Sequence, residues 1–144
     1  MAAYALEVSS PLFQLATDAL RRHSNARRSL CSFDHLIETC ISLWTEMDAI
    51  DGAAVRDHLR MMPAEGQIPL HLTLEDNEIC PLGRVRDGLH AVLRYELSWA
   101  QTVSALLFLF VVERETQSVF AKIRADPTTT VQAGAYPAKI IPFR

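Results

Sequence analysis

The sequence predicts an all-α domain: a bundle of three to four helices, with one long helix in the C-terminal half and a small β-hairpin or ordered loop at 68–80. Three observations lead there. Apolar residues recur at helical spacing along most of the chain. Capping residues and prolines stand where the periodic stretches begin and end. Alternation with a period of two is confined to Ile68, Leu70, Leu72 and Leu74. With 144 residues, 49% of them hydrophobic, the chain has the length of one domain and is too apolar for a disordered one. Residues 1–144 are therefore read as a single helical domain, with 127–144 as an extended tail rich in proline and threonine.

The first helix is predicted from Ser10, which can cap free backbone N–H groups, with Pro11 in a position that needs no N–H. Leu12, Leu15, Ala16 and Ala19 then form one apolar face, and the pattern fades over Arg21–Arg28. Leu30, Phe33, Ile37, Cys40, Trp44 and Met47 make a heptad-like stripe for the second helix, started by Ser29 or Ser32. Asp51-Gly52 breaks the chain, Asp51 caps a third helix through Val55, Leu59 and Met62, and Pro63 stops it. Ile68–Leu74 reads as a strand or an anchored loop, with a partner strand expected from Ile79. From Leu82 to Ala125 the apolar stripe reads as one helix, central in the bundle, with Gly88 the place for any break and Asp126-Pro127 its end. Such a helix would be about 60 Å long. That exceeds a compact domain with a radius of gyration of roughly 15 Å, and so the sequence predicts a homo-oligomer that covers its projecting part.

The formal charge is −3, divided into +2 over residues 1–30, −8 over 31–80 and +3 over 81–144. This balance gives no general attraction to nucleic acid. The longest apolar run, Ala105–Val112, is shorter than the roughly 20 residues that span a bilayer. MAAYALEVSS lacks the basic start and apolar stretch of a secretory signal, and the three cysteines do not make a disulfide framework. A cytoplasmic protein without membrane attachment is expected.

No sequence motif for catalysis stands out: there is no Gly-rich phosphate loop, no GxSxG, no CxxC and no HExxH. Cys31, His35 and Glu38 would share one side of a helix, and each can ligate zinc. A structural zinc site takes four ligands, so the sequence is read as having no metal site, no catalytic residue and no cofactor. Glu96 falls on the apolar stripe between Val92 and Trp99 and is expected to be a buried carboxylate that needs a partner. Arg21, Arg22, His23, Arg27 and Arg28 form the one basic cluster, and its four arginines are the candidates for phosphate contacts.

The function these readings favour is a non-enzymatic module that binds another protein, as a regulator, adaptor, chaperone or inhibitor. Trp44, Trp99, Phe108, Phe110 and Phe143 are its candidate aromatic anchors, with Glu46, Asp48 and Asp51 supplying charge complementarity. A small DNA-binding regulator using the arginine cluster and a small metal- or thiol-dependent enzyme are the alternatives.

Overall fold

The computed structural model describes residues 2–74 and 81–125. The chain divides into two compact units, Met1–Val111 and Val112–Arg144. The elements are β1 (Ala2–Val8), α1 (Ser10–Arg27), α2 (Phe33–Glu46), α3 (Gly52–Met61), β2 (Ile68–Leu74), α4 (Pro81–Leu93) and α5 (Trp99–Ala125). Five helices among the described residues correct the expected bundle of three to four. Of the second unit, the described residues 112–125 are helical, and the Gln117 side-chain amide donates to Glu113 Oε1 at 3.2 Å.

In the first unit the fold begins with strand pairing. Tyr4, Leu6 and Val8 of β1 alternate with exposed residues and face the same side as Ile68, Leu70, Leu72 and Leu74 of β2. The two strands are antiparallel, with Leu6 opposite Leu70 and Val8 opposite Ile68. The alternation in Ile68–Leu74 is thus a strand, but its partner is β1 and the pair is not a local hairpin. Ile79, the expected start of the partner, lies outside the described residues, as does 127–144. Gly66 sits where β1 leaves the sheet, and a Cβ there would come within 2.4 Å of the Val8 carbonyl oxygen. Only glycine fits so close an approach.

Ser9 caps α1. Its Oγ accepts from Leu12 N–H at 3.1 Å and donates to the Pro63 carbonyl. The cap is one residue earlier than the pattern suggests, which leaves Pro11 in the first turn where a missing N–H costs nothing. Ser32 and Asp51 cap α2 and α3 in the same way, accepting from His35 N–H at 3.1 Å and Ala54 N–H at 3.0 Å. Asp34, in the first turn of α2, reaches the sheet and accepts from Thr73 N–H at 2.9 Å.

Leu12, Ala16 and Ala19 of α1, Leu36, Ile37 and Cys40 of α2, and Leu82, Val85 and Leu89 of α4 join the sheet's inner face in one core. The start of α5 runs through it. Residues 102–107 are all buried, as expected of a helix apolar on every side. Its two polar members there have partners: Thr102 Oγ1 donates to the Ser98 carbonyl at 2.9 Å, and Ser104 Oγ lies 2.8 Å from His58 Nε2 of α3.

The single helix expected over Leu82–Ala125 is two helices, and the break falls after Leu93, not at Gly88. Arg94 takes the left-handed conformation at φ 69°, and its N–H bonds the His90 carbonyl at 2.8 Å, closing α4. Ser98 then opens α5: its Oγ accepts from Gln101 N–H at 3.1 Å, while Gln101 Oε1 accepts from Ser98 N–H at 3.0 Å. This reciprocal pair is a capping box, spelled Ser98-Trp99-Ala100-Gln101. The apolar stripe hides the break because Leu93 and Leu97, on either side of it, are both buried. Glu96 consequently stands exposed in the connection and is not a buried carboxylate.

The His58 imidazole stacks on Phe108 with ring centroids 4.4 Å apart. Burial pushes its pKa below the ordinary 6.5, and the hydrogen bond with Ser104 opposes that shift. Folding therefore favours the neutral imidazole of His58. The unfolded chain takes up a proton here more readily, so His58 contributes stability that is complete above pH 6.5 and declines as the pH falls below it. Urea unfolding measured between about pH 7 and pH 5 is expected to show a shallower pH slope in His58→Gln than in the wild type. Equal slopes would exclude this contribution. Ser98→Ala is expected to cost about 1 kcal/mol by removing the α5 cap, read as a lower thermal midpoint with an unchanged helical spectrum.

Candidate metal centre

The turn between α1 and α2 builds the one cluster of metal-ligating side chains among the described residues. Arg28 follows the last helical residue of α1 in the left-handed conformation, at φ 55° and ψ 42°. Its N–H bonds the Asn25 carbonyl at 3.3 Å, and Ser29 N–H bonds the Ser24 carbonyl at 3.1 Å. These bonds satisfy the helix end and reverse the chain. Ser24 Oγ then accepts from Cys31 N–H at 3.1 Å, drawing Cys31 back against α1. Ser32 starts α2 one residue later, so His35 lies in its first turn.

His23 comes to meet it from the last turns of α1. Its side chain is 1% exposed. His23 Nε2 lies 2.9 Å from His35 Nδ1, the rings stack at 5.1 Å between centroids, and the edge of the pair meets Phe110 at 5.9 Å. Cys31 Sγ completes the group, and the three ligand atoms all lie within 4.8 Å of one another. The thiol donates to the Ser29 carbonyl at 3.3 Å. Cys31 and His35 are partly exposed, so the cluster has a buried side at His23 and an open side towards solvent.

Two imidazoles and a thiol suit zinc and other borderline or soft transition metals, and do not suit magnesium or calcium. Donor atoms around a tetrahedral zinc ion lie roughly 3.3–3.7 Å apart, given bond lengths of about 2.0–2.3 Å. The nitrogens would open by a few tenths of an ångström and the sulfur would swing in. Between the two rings a single proton is shared at any moment, donated by one nitrogen and accepted by the other. An ion would take that proton's place, with one ring moving its hydrogen to its other nitrogen and Cys31 losing its thiol proton.

This cluster corrects the expectation of no enzymatic role, since its three donor atoms could hold a metal ion. The helical face drawn through Cys31, His35 and Glu38 fails for a local reason: Cys31 precedes the Ser32 cap and lies in the turn, while Glu38 is exposed outside the cluster. The third donor of the cluster is His23, which in the sequence stands within the basic cluster. A signal for it existed. Leu12, Ala16 and Ala19 mark the buried stripe of α1, and His23 is its next position.

The remaining candidates are spread over the fold. Arg21 and Arg22 both bind Asp18, at 2.7 Å and 3.0 Å, and the hydrogen bonds from Arg21 and then Arg22 hold that carboxyl below its usual 3.8. Arg27 and Arg28 are exposed. Phe110 is a core residue, Phe108 lies half-buried on His58, and Trp99 lies half-buried between Tyr4 and the Arg86 guanidinium. Trp44 is half-buried against Gly88. Glu46, Asp48 and Asp51 are exposed, with Asp51 spent on the α3 cap, and Phe143 lies outside the described residues. No described helix is long and apolar enough to cross a membrane. No family model matches this chain, and neither a curated protein nor a solved structure matches it.

Proposed function

We propose that the chain is a small metal-dependent enzyme in which His23, Cys31 and His35 hold a zinc-like divalent ion. The convergence of these three donor atoms within 4.8 Å carries the reading. Three protein ligands leave a fourth tetrahedral position open, as in catalytic zinc sites and unlike the closed four-ligand structural ones. The partly exposed side formed by Cys31 and His35 gives that position access to solvent and substrate. The ion would supply Lewis acidity there, which suits hydrolysis of a carbonyl or phosphoryl substrate. The protein's part is to fix the ligands. Ser24 holds the Cys31 backbone, Ser32 holds that of His35, and the core holds the His23 ring.

Protein binding through a homodimer is the second reading, supported by Leu30 and Met61, which are 98% and 77% exposed. A partner that covered either side chain would remove its apolar surface from water. Sedimentation across a concentration series is expected to show a dimer that Leu30→Glu shifts towards monomer. A monomer at every concentration would end this reading.

The metal proposal is tested on protein purified without a histidine tag. One equivalent of Zn²⁺ is expected to bind in competition with a chromogenic chelator. Cys31→Ser and His35→Gln should each weaken it at least ~100-fold, or about 3 kcal/mol. Co²⁺ should give a thiolate charge-transfer band that Cys31→Ser abolishes. Ester hydrolysis by the zinc-loaded protein, lost in the same variant, would support the catalytic role. Binding that is absent, or unchanged in both variants, overturns the metal site.

A further inference from the structure

A second site lies on another face of the first unit, between the C-terminal half of α2, the connection to α3, and α4. It is a cleft of about 630 Å³. That falls within the ~300–1,000 Å³ of small-ligand sites. Its apolar lining comes from Ile41, Trp44, Val85 and Val92, and Asp48 and Arg84 stand on it as charged groups. Neither charge makes an ion pair with the other or with a further described residue. Both are exposed, whereas Val85 is buried and Trp44 and Ile41 are half-buried, so the cleft is apolar below and charged above.

Trp44 gives the cleft its shape. Its six-membered ring lies against Gly88 of α4, where an added Cβ would fall 2.6 Å from Trp44 Cζ2. The missing side chain at Gly88 lets the indole lie close against α4, where it forms part of the cleft's wall. This gives Gly88 a role other than breaking a helix. The lining also leaves Val92 40% exposed, an apolar side chain for a ligand to cover.

We infer that this cleft binds an apolar α-amino acid. The carboxylate would pair with Arg84, the ammonium with Asp48, and the hydrocarbon or aromatic side chain would lie on Trp44, Ile41 and Val85. A zwitterion answers both charges at once, which a fatty acid or a simple amine does not. The side chain would bury the apolar floor, and the guanidinium and carboxylate would fix orientation. This site shares no residue with the His23–Cys31–His35 cluster and stands or falls without it.

The test uses the full chain, titrated with L-leucine and L-phenylalanine and followed by calorimetry and by the Trp44 indole N–H resonance. One of the two is expected to bind with a dissociation constant below ~1 mM and to shift that resonance. N-acetyl-L-leucine and L-leucinamide, each lacking one charge, should bind at least ~5-fold more weakly, as should L-leucine or L-phenylalanine to Arg84→Gln and Asp48→Asn. Gly88→Ala should weaken binding at least ~5-fold by displacing Trp44 from its place in the cleft wall, with the helical spectrum retained. Absence of any shift up to ~10 mM overturns the proposal. So does equal binding of the singly charged analogues, or binding unchanged in both charge variants.

Discussion

A helix that is buried on every side can exist only if other elements surround it, and residues 102–107 of α5 impose that condition on the first unit. Each neighbour answers with a specific contact. Phe110 meets His23 of α1, Phe108 and Ser104 meet His58 of α3, and Trp99 meets Tyr4 of β1 and Arg86 of α4. Two of these contacts are histidines, which bring polar atoms to an apolar helix and must find partners there. His58 finds the Ser104 hydroxyl, and His23 finds His35. The candidate metal centre is thus anchored on its inner side by the same helix that organises the core.

The helices were legible where polarity changed along one face. Most of the stripes of α1, α2 and α3, and the Ser32 and Asp51 caps, correspond to elements of the structure, whereas Leu30, the expected start of the second stripe, precedes the Ser32 cap and is exposed, and α1 is capped by Ser9 and not Ser10. Two features escaped. The break between α4 and α5 left the apolar stripe intact across Leu93 and Leu97, so periodicity alone could not register it, although the capping box was spelled out four residues long. β1 escaped because alternation of Tyr4, Leu6 and Val8 among alanines is weak, and its partner is remote in sequence.

The site was half legible. Cys31 and His35 stood out as a pair, but assigning both to a helix set the wrong geometry and brought in Glu38. The fading pattern over Arg21–Arg28 and the serine caps marked a break between two helices, but Arg28 is neither glycine nor asparagine, so the left-handed residue that sets the direction of the reversal was not announced. Once the reversal is known, His23 follows from the buried stripe of α1. A candidate ligand on a core-facing helical position is hard to tell from an ordinary buried histidine until the turn places a second one 2.9 Å away.

The pairing of β1 with β2 has a bearing on the order in which the chain can fold. Residues 2–8 pair as a strand with 68–74, extended by the Gly66 N–H that donates to the Glu7 carbonyl, with three whole helices intervening. The local helices can form within their own segments, whereas closing so long a loop carries an entropic cost that slows folding. On a ribosome, the first strand emerges and must wait until residue 74 has cleared the exit tunnel. During that interval Leu6 and Val8 have no inner face to join. The turn that brings His23, Cys31 and His35 near one another is local and needs no such delay, whereas Phe110, the α5 side chain that packs on His23, is made last, so the inner side of the candidate centre closes after the sheet.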